Sequence, residues 1–245
     1  MSQCLVIQKN KLESLDIWKK ITEKKESSGV LSVFLPLERD EIEELIRAIQ
    51  ENKTFKERYG EHGVEFDPTW QQIVFYGLIV KGKKFFTYTR GTPEKNKGQG
   101  EGRLSGKLAI GVGGHIEPFD TDFTDSLYRE IDEEVAFVRD GTRLDFRDGN
   151  GGVDISLLGK IISVEITGVI KNDSDDVGTV HFGIFYIARI MDDSTDVEIR
   201  DDHENEFGSL VDTKEYTALT ERGGIPEAWT ELVMKSDFFK SQIFK

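Results

Sequence analysis

One cysteine, five prolines and four histidines are spread over the 245 residues of this chain. The lone Cys4 excludes an internal disulfide and fits a reducing compartment. Its plainest role is that of a small apolar residue in a first strand. One cysteine and four scattered histidines leave no zinc-type cluster. Long apolar runs are missing as well: the longest, IVFYGLIV at 73–80, falls far short of the roughly 20 residues a membrane-spanning helix needs. The N-terminus, MSQCLVIQKNK, lacks the apolar core of a signal peptide. These absences predict a cytoplasmic protein with no membrane partner. Positive charge is scarce too. Lys and Arg number 32 against 46 Asp and Glu, for a net charge of −14. A general nucleic-acid binder needs a basic surface, so a long nucleic acid is not the expected partner. A small anionic substrate stays open, because the local field matters more than the total.

What is present is a soluble globular composition, 37% hydrophobic and 32% charged. The length suits one generous domain or two small ones. Cys4 to Gln8 reads as a strand, Leu12 to Lys25 as a short helix, and Val30 to Leu35 as a second strand. Asp40 to Lys53 carries Ile42, Leu45, Ile46 and Ile49 on one helical stripe, with Asp40 as cap and Glu43 three residues on. Glu51 to Asp67 reads as polar loop. Gln72 to Lys81 and Lys84 to Arg90 form a hairpin about Gly82-Lys83. Lys107 to Val112 is a strand, Phe123 to Val138 a helix, and Val153 to Lys171 one or two strands. Gly178 to Ile190 is a buried strand in which His181 is a strand residue, not a ligand. Thr213–Glu221 and Pro226–Phe239 close the chain as helices, with Trp229, Leu232, Val233 and Phe238 in the core.

Two stretches reverse or concentrate charge. From Lys81 to Lys107 there are eight Lys or Arg and two acids, Glu94 and Glu101. Arg90, Arg103 and Lys107 are its candidate phosphate-binding residues. Asp192 to Glu206 holds eight acids and one Arg, and reads as a solvated loop.

The chemistry centres on Gly113 to Val135, GGHIEPFDTDFTDSLYREIDEEV. With Glu130 at 0° on a helical wheel, Glu133 falls near −60° and Glu134 near +40°, at about 100° per residue. Three carboxylates thus share one arc, bordering the apolar stripe of Leu127, Ile131 and Val135. Arg129 stands beside Glu133 and is placed to hold its carboxylate. Asp120, Thr121 or Asp122 can cap the helix. Carboxylates this close repel unless a cation shares them, and hard divalent ions with oxygen ligands, Mg²⁺ above all, suit such a set. A solvated acidic helix face is the simpler alternative. The Gly113-Gly114 turn favours the metal site, because glycine lets backbone approach an ion held by the helix.

This stretch resembles the Nudix box: a glycine, a glutamate, then Arg-Glu, an aliphatic, any residue and Glu-Glu. Gly114, Arg129, Glu130, Ile131, Glu133 and Glu134 match. The stretch from Gly114 to Arg129 is one residue longer than the pattern, the first Glu is Asp120 or Asp122, and the glycine after Glu-Glu is Ala136. Beyond the box, Glu101-Gly102-Arg103-Leu104 followed by Gly113-Gly114-His115 is similar to a Nudix subgroup described as predicted phosphoesterases.

The resemblance implies an α+β Nudix fold, a mixed β-sheet between helices in an α/β/α sandwich. Residues 1–70 would form an N-terminal elaboration packed on a Nudix domain at 71–245, the two making one structural unit. It implies Mg²⁺-dependent hydrolysis, with Mn²⁺ as substitute, of the pyrophosphate linkage in a nucleoside diphosphate joined to another moiety. Glu130, Glu133 and Glu134 would be catalytic, with Arg129 orienting a glutamate. The metal would sit on Glu130, Glu133, Glu134 and the Gly113 carbonyl, with Glu204 of the late acidic loop as a further ligand. Glu133, a late-loop acid or the activated water alone remain open as the source of basicity. The partner is then a small nucleotide-like anion, and a homodimer follows by analogy. Two other readings stand: a silent nucleotide-sensing module, and an isoprenoid diphosphate isomerase, which would need a nucleophilic cysteine.

Overall fold

The computed structural model describes residues 2–91, 104–149, 152–200 and 206–243. The chain begins with β1 (Gln3–Gln8), α1 (Lys9–Glu13), α2 (Asp16–Ser28), β2 (Ser32–Pro36), α3 (Arg39–Asn52) and β3 (Thr54–Glu57). The central hairpin is β4 (Trp70–Lys81) and β5 (Lys84–Thr89), followed by the short β6 (Leu108–Ala109) and β7 (Gly111–Val112). Then come α4 (Phe123–Glu134), β8 (Val135–Arg139), β9 (Thr142–Arg143), α5 (Ile155–Leu158) and β10 (Ile162–Asn172). The last part holds α6 (Asp176–Val180), β11 (His181–Ile190), β12 (Thr195–Ile199), β13 (Glu206–Val211), α7 (Thr213–Glu221), α8 (Ala228–Lys235) and α9 (Asp237–Ile243). The class is α+β, as the resemblance implies. Antiparallel ladders prevail, with a parallel bridge between Leu108 and Pro226. No helix among the described residues is long and apolar enough to cross a membrane.

The chain divides into two compact units. The first comprises Met1–Tyr76, Gly114–Ser126 and Ile166–Tyr186; the second comprises Gly77–Gly113, Leu127–Glu165 and Ile187–Lys245. In the first, β1 pairs antiparallel with β3 (Leu5 opposite Phe55) and with the start of β4 (Ile7 opposite Gln71), and β2 pairs with β10. Cys4, Val6 and Val64 pack there with Trp70. In the second, β5 lies beside β13, the end of β4 and β6, while β7 lies beside β4 and β8 pairs with β12 and β9. Phe85 packs edge-on against Phe239 (ring centroids 5.2 Å apart) and tilted against Tyr216 (5.6 Å), which seats the C-terminal helices on β5.

Several local expectations give way. Helix α4 stops at Glu134 and becomes strand β8 at once, because VAFVR is a β-branched and aromatic run with a partner strand in β12. That partner lies inside the expected Asp192–Glu206 loop: Thr195 and Val197 are buried and Asp196 and Glu198 exposed, the period-2 pattern of a strand. Polar 51–67 contains β3 and a turn of 3₁₀ helix at Val64–Phe66. Helix α3 is capped by Glu38, boxed with Glu41, in place of Asp40 with Glu43. The C-terminal helix breaks at Ser236 into α8 and α9, so the buried aromatic is Phe239 while Phe238 is half-buried.

Candidate functional site

The site begins where β7 ends. Gly113 adopts φ +136°, which L side chains rarely take, so the turn requires glycine. Its N–H donates to Oε2 of Glu134 at 3.1 Å. The strand leading to it is held on several sides. The Tyr88 hydroxyl donates to the Gly111 carbonyl (2.7 Å), the Ile110 N–H donates to Thr230 Oγ1 (3.1 Å), and the Glu227 N–H donates to the Leu108 carbonyl (3.0 Å).

Helix α4 starts at a cap supplied by Asp122, whose Oδ1 accepts from the N–H groups of Thr124 (2.7 Å) and Asp125 (2.9 Å). Leu127 and Ile131 bury its apolar stripe. Arg129 Nη1 donates both to Glu130 Oε1 (2.8 Å) and to Glu133 Oε2 (2.9 Å). Glu130 and Glu134 are buried and Glu133 is about half exposed, at 42% of its side chain. Burial pushes the Glu130 carboxyl up to about 8; Arg129 opposes this, while Glu134 and Glu133 add to it. Glu130 and Glu133 thus share one arginine, with Glu134 beside them, and burial favours the protonated form of Glu130.

Among the described residues, no group of three or more His, Cys, Asp or Glu gathers closely enough to enclose a metal. Hard oxygen donors, a carboxyl destabilised as an anion and a surplus of negative charge all match a divalent ion at Glu130 and Glu134.

The other candidates separate. Lys107 is half-buried, and its carbonyl accepts from the Arg90 N–H at 2.9 Å. Arg90 is not a free cation: its Nε donates to buried Glu227 (2.8 Å), and its guanidinium lies 5.5 Å from the Tyr88 ring centre. Burial works against the Arg90 charge, but Glu227, Tyr88 and, more weakly, Glu134 hold its pKa above the ordinary arginine value. Arg103 and Glu204 lie outside the described residues.

Sequence reading missed Asp132, which is almost fully buried on the far side of α4. It pairs with Arg200 Nη2 at 2.6 Å and with Arg147 Nε at 3.0 Å. It also missed Glu227. The available signal was an Asp at about 200° from Glu130 on the wheel, away from the acidic arc, where solvation alone would not explain it.

The fold matches that of Tm1382, a candidate Nudix hydrolase, at a TM-score of 0.59 and 17% identity, over 99% of this chain and 98% of that one. The protein therefore has the Nudix hydrolase fold. A weaker structural likeness, TM-score 0.44 and 15% identity, links 83% of the chain to 97% of DR0079 from Deinococcus radiodurans. In sequence, 126 residues are 28% identical to Protein YmaB of Bacillus subtilis (strain 168), covering 49% of this chain and 50% of that protein. The chain thus matches about half the length of this curated relative. No protein-family model matches the chain.

Proposed function

We propose that the protein hydrolyses the pyrophosphate linkage of a nucleoside diphosphate joined to another moiety, with Mg²⁺ or Mn²⁺ as cofactor. One observation carries this reading: Glu130, Glu133 and Glu134 lie on one face of the helix, Arg129 bridges the first two, and buried Glu130 is raised to about 8. The shared fold with Tm1382 and the match of Arg129–Glu134 to the Nudix box support it. The Gly113-Gly114-His115 opening supports the phosphoesterase subgroup.

Bound at Glu130 and Glu134, a divalent ion would supply charge neutralisation for the phosphate oxygens and an acidified water. The chain's own residues do the rest. The Gly113 N–H fixes the orientation of Glu134 from one side. Arg129 keeps Glu130 and Glu133 from swinging apart. The half-exposed Glu133 is placed to accept the proton of the attacking water at Oε1, since Arg129 occupies Oε2. Water adds to one phosphorus, the bridging P–O bond breaks, and the products are a nucleoside monophosphate and the phosphorylated second moiety. Of the three phosphate-binding candidates, Lys107 is the one assigned to the outer phosphates, since Arg90 is held by Glu227. Positioning and charge neutralisation provide most of the barrier reduction in such chemistry.

The isomerase alternative loses its nucleophile. The Cys4 thiol is buried, donates to Gln72 Oε1 at 3.5 Å, and is pushed by burial up to about 12. The test is chromatography of product nucleotides from a panel of nucleoside diphosphate derivatives with Mg²⁺, Mn²⁺ or EDTA, on parent and Glu134→Gln. Metal-dependent turnover that vanishes in the variant supports hydrolysis. Tight nucleotide binding without turnover favours the sensor.

A further inference from the structure

We infer that Arg200 is a positioning residue for the carboxylates at the end of α4; the inference rests on the metal-dependent reading above. Three contacts from this one residue meet the last turn of the helix. Its backbone N–H donates to the Glu134 carbonyl (3.2 Å), its Nη2 donates to the Val135 carbonyl (3.2 Å), and the same Nη2 donates to Asp132 Oδ1 (2.6 Å). A helix leaves its final carbonyls without partners inside the helix, and a glycine just past the end commonly supplies a left-handed turn that satisfies them. Here the chain continues as Val135-Ala136 straight into β8 and has no such glycine. Arg200, arriving from the end of β12, takes over that role from 66 residues away.

The grip is directional. Asp132 faces away from the acidic arc, so Arg200 holds α4 from behind while the carboxylates of Glu130 and Glu134 point to the other side. Asp132 is 1% exposed and receives a second arginine, Arg147. A buried carboxylate between two guanidiniums resists rotation of the turn that carries it. Glu134 is thus fixed at both ends: the Gly113 N–H on its carboxylate and the Arg200 N–H on its carbonyl. Neither Asp132 nor Arg200 needs to touch substrate or metal for this. Groups that orient metal ligands in this way typically change metal affinity by about 10- to 100-fold when removed.

Binding of Mn²⁺ alone, followed by electron paramagnetic resonance of the free ion, separates positioning from general stability. Arg200→Met is expected to weaken Mn²⁺ binding about tenfold or more. Its turnover should fall at limiting Mn²⁺ and largely recover at saturating Mn²⁺, with the substrate KM near the parent's. Arg200→Lys, which keeps the charge but not the fork, should recover part of the affinity. Because Arg200→Met leaves Asp132 short of a partner, the double variant Asp132→Asn/Arg200→Met is measured beside it. It removes both charges and should regain thermal stability while keeping the weakened Mn²⁺ affinity. A folded double variant that binds Mn²⁺ as tightly as the parent would overturn the positioning role and leave the metal reading intact. If the parent itself binds no Mn²⁺, or Glu134→Gln binds it equally well, the metal reading fails and the inference falls with it.

Discussion

Two buried clusters in this protein handle charge in opposite ways. In the first unit, Lys171 is fully buried, yet its ammonium meets the carbonyls of Gly178 (2.6 Å), Thr179 (3.1 Å) and His181 (3.2 Å) and the Asp173 carboxylate (2.9 Å). Gly178 belongs to the same arrangement, since a Cβ there would collide with the Asn172 carbonyl. Every donor of that lysine is used: the Asp173 carboxylate is shared with a second ammonium, Lys25, and backbone carbonyls meet the rest. On α4 the sign is reversed: the Glu130 and Glu133 carboxylates share the Arg129 guanidinium, with Glu134 beside them on the same helix face. A saturated cluster has nothing left to bind and serves the fold. A carboxyl that burial holds off its charged form, as at Glu130, favours a cation beside it. The comparison separates structural from functional burial more sharply than burial alone.

The largest test of the contrast is Glu134→Gln. It should cut turnover by about a thousandfold or more, on the order of 4 kcal/mol of barrier, while leaving the melting temperature at or above the parent's. Equal turnover would break the functional half of the comparison. Next comes Lys171→Met, which should cost roughly 3 kcal/mol in urea unfolding, because it strands three buried carbonyls and leaves Asp173 with Lys25 alone. Its activity at 25 °C should match the parent's, and a marked loss of turnover in the folded variant would break the structural half.

The two clusters should also part in their pH response when metal-free. The folded Glu130 carboxyl near 8 lies above its ordinary 4.5, so the native state holds the extra proton between these values. Stability should therefore fall as pH rises from about 4.5 to 8, by a few kcal/mol at most on the scale of 1.36 kcal/mol per unit. Glu130→Gln should flatten that slope, and unfolding curves across the range decide it. Lys171 runs the other way: burial brings it from 10.5 to about 8, Asp173 opposing, so its contribution rises with pH across that higher window. The smallest effect is reserved for an exposed pair, Arg143 with Glu198 at 3.7 Å. Arg143→Ala should change stability by less than about 0.5 kcal/mol, and a larger loss would mean that solvent-exposed charge matters here more than buried charge.

Much of this was legible beforehand. The start of α4, its apolar stripe, the carboxylate arc and the β4–β5 hairpin all follow from local periodicity. The end of α4 was not, because Val135 and Val138 continue the helical stripe while VAFVR also suits a strand; only the partner β12 decides between them. β12 itself was hidden by its charge, although TDVEI alternates cleanly. Asp132 with Arg200, and Arg90 with Glu227, bring together residues 68 and 137 positions apart, and no local pattern encodes such pairs.

The seam between α4 and β8 also sets where the chain can change length. Glu134 ends a helix and Val135 opposes Ile199 in a ladder, with no residue between them to absorb an insertion. One added residue would either turn the carboxylates by about 100° or slip β8 by one position against β12. Val135, Ala136, Phe137 and Val138 are all buried, so a slip would exchange large side chains for small ones on both faces. Insertions are therefore forbidden at this junction and admissible at Asp140-Gly141, where both residues already take positive φ at an exposed turn.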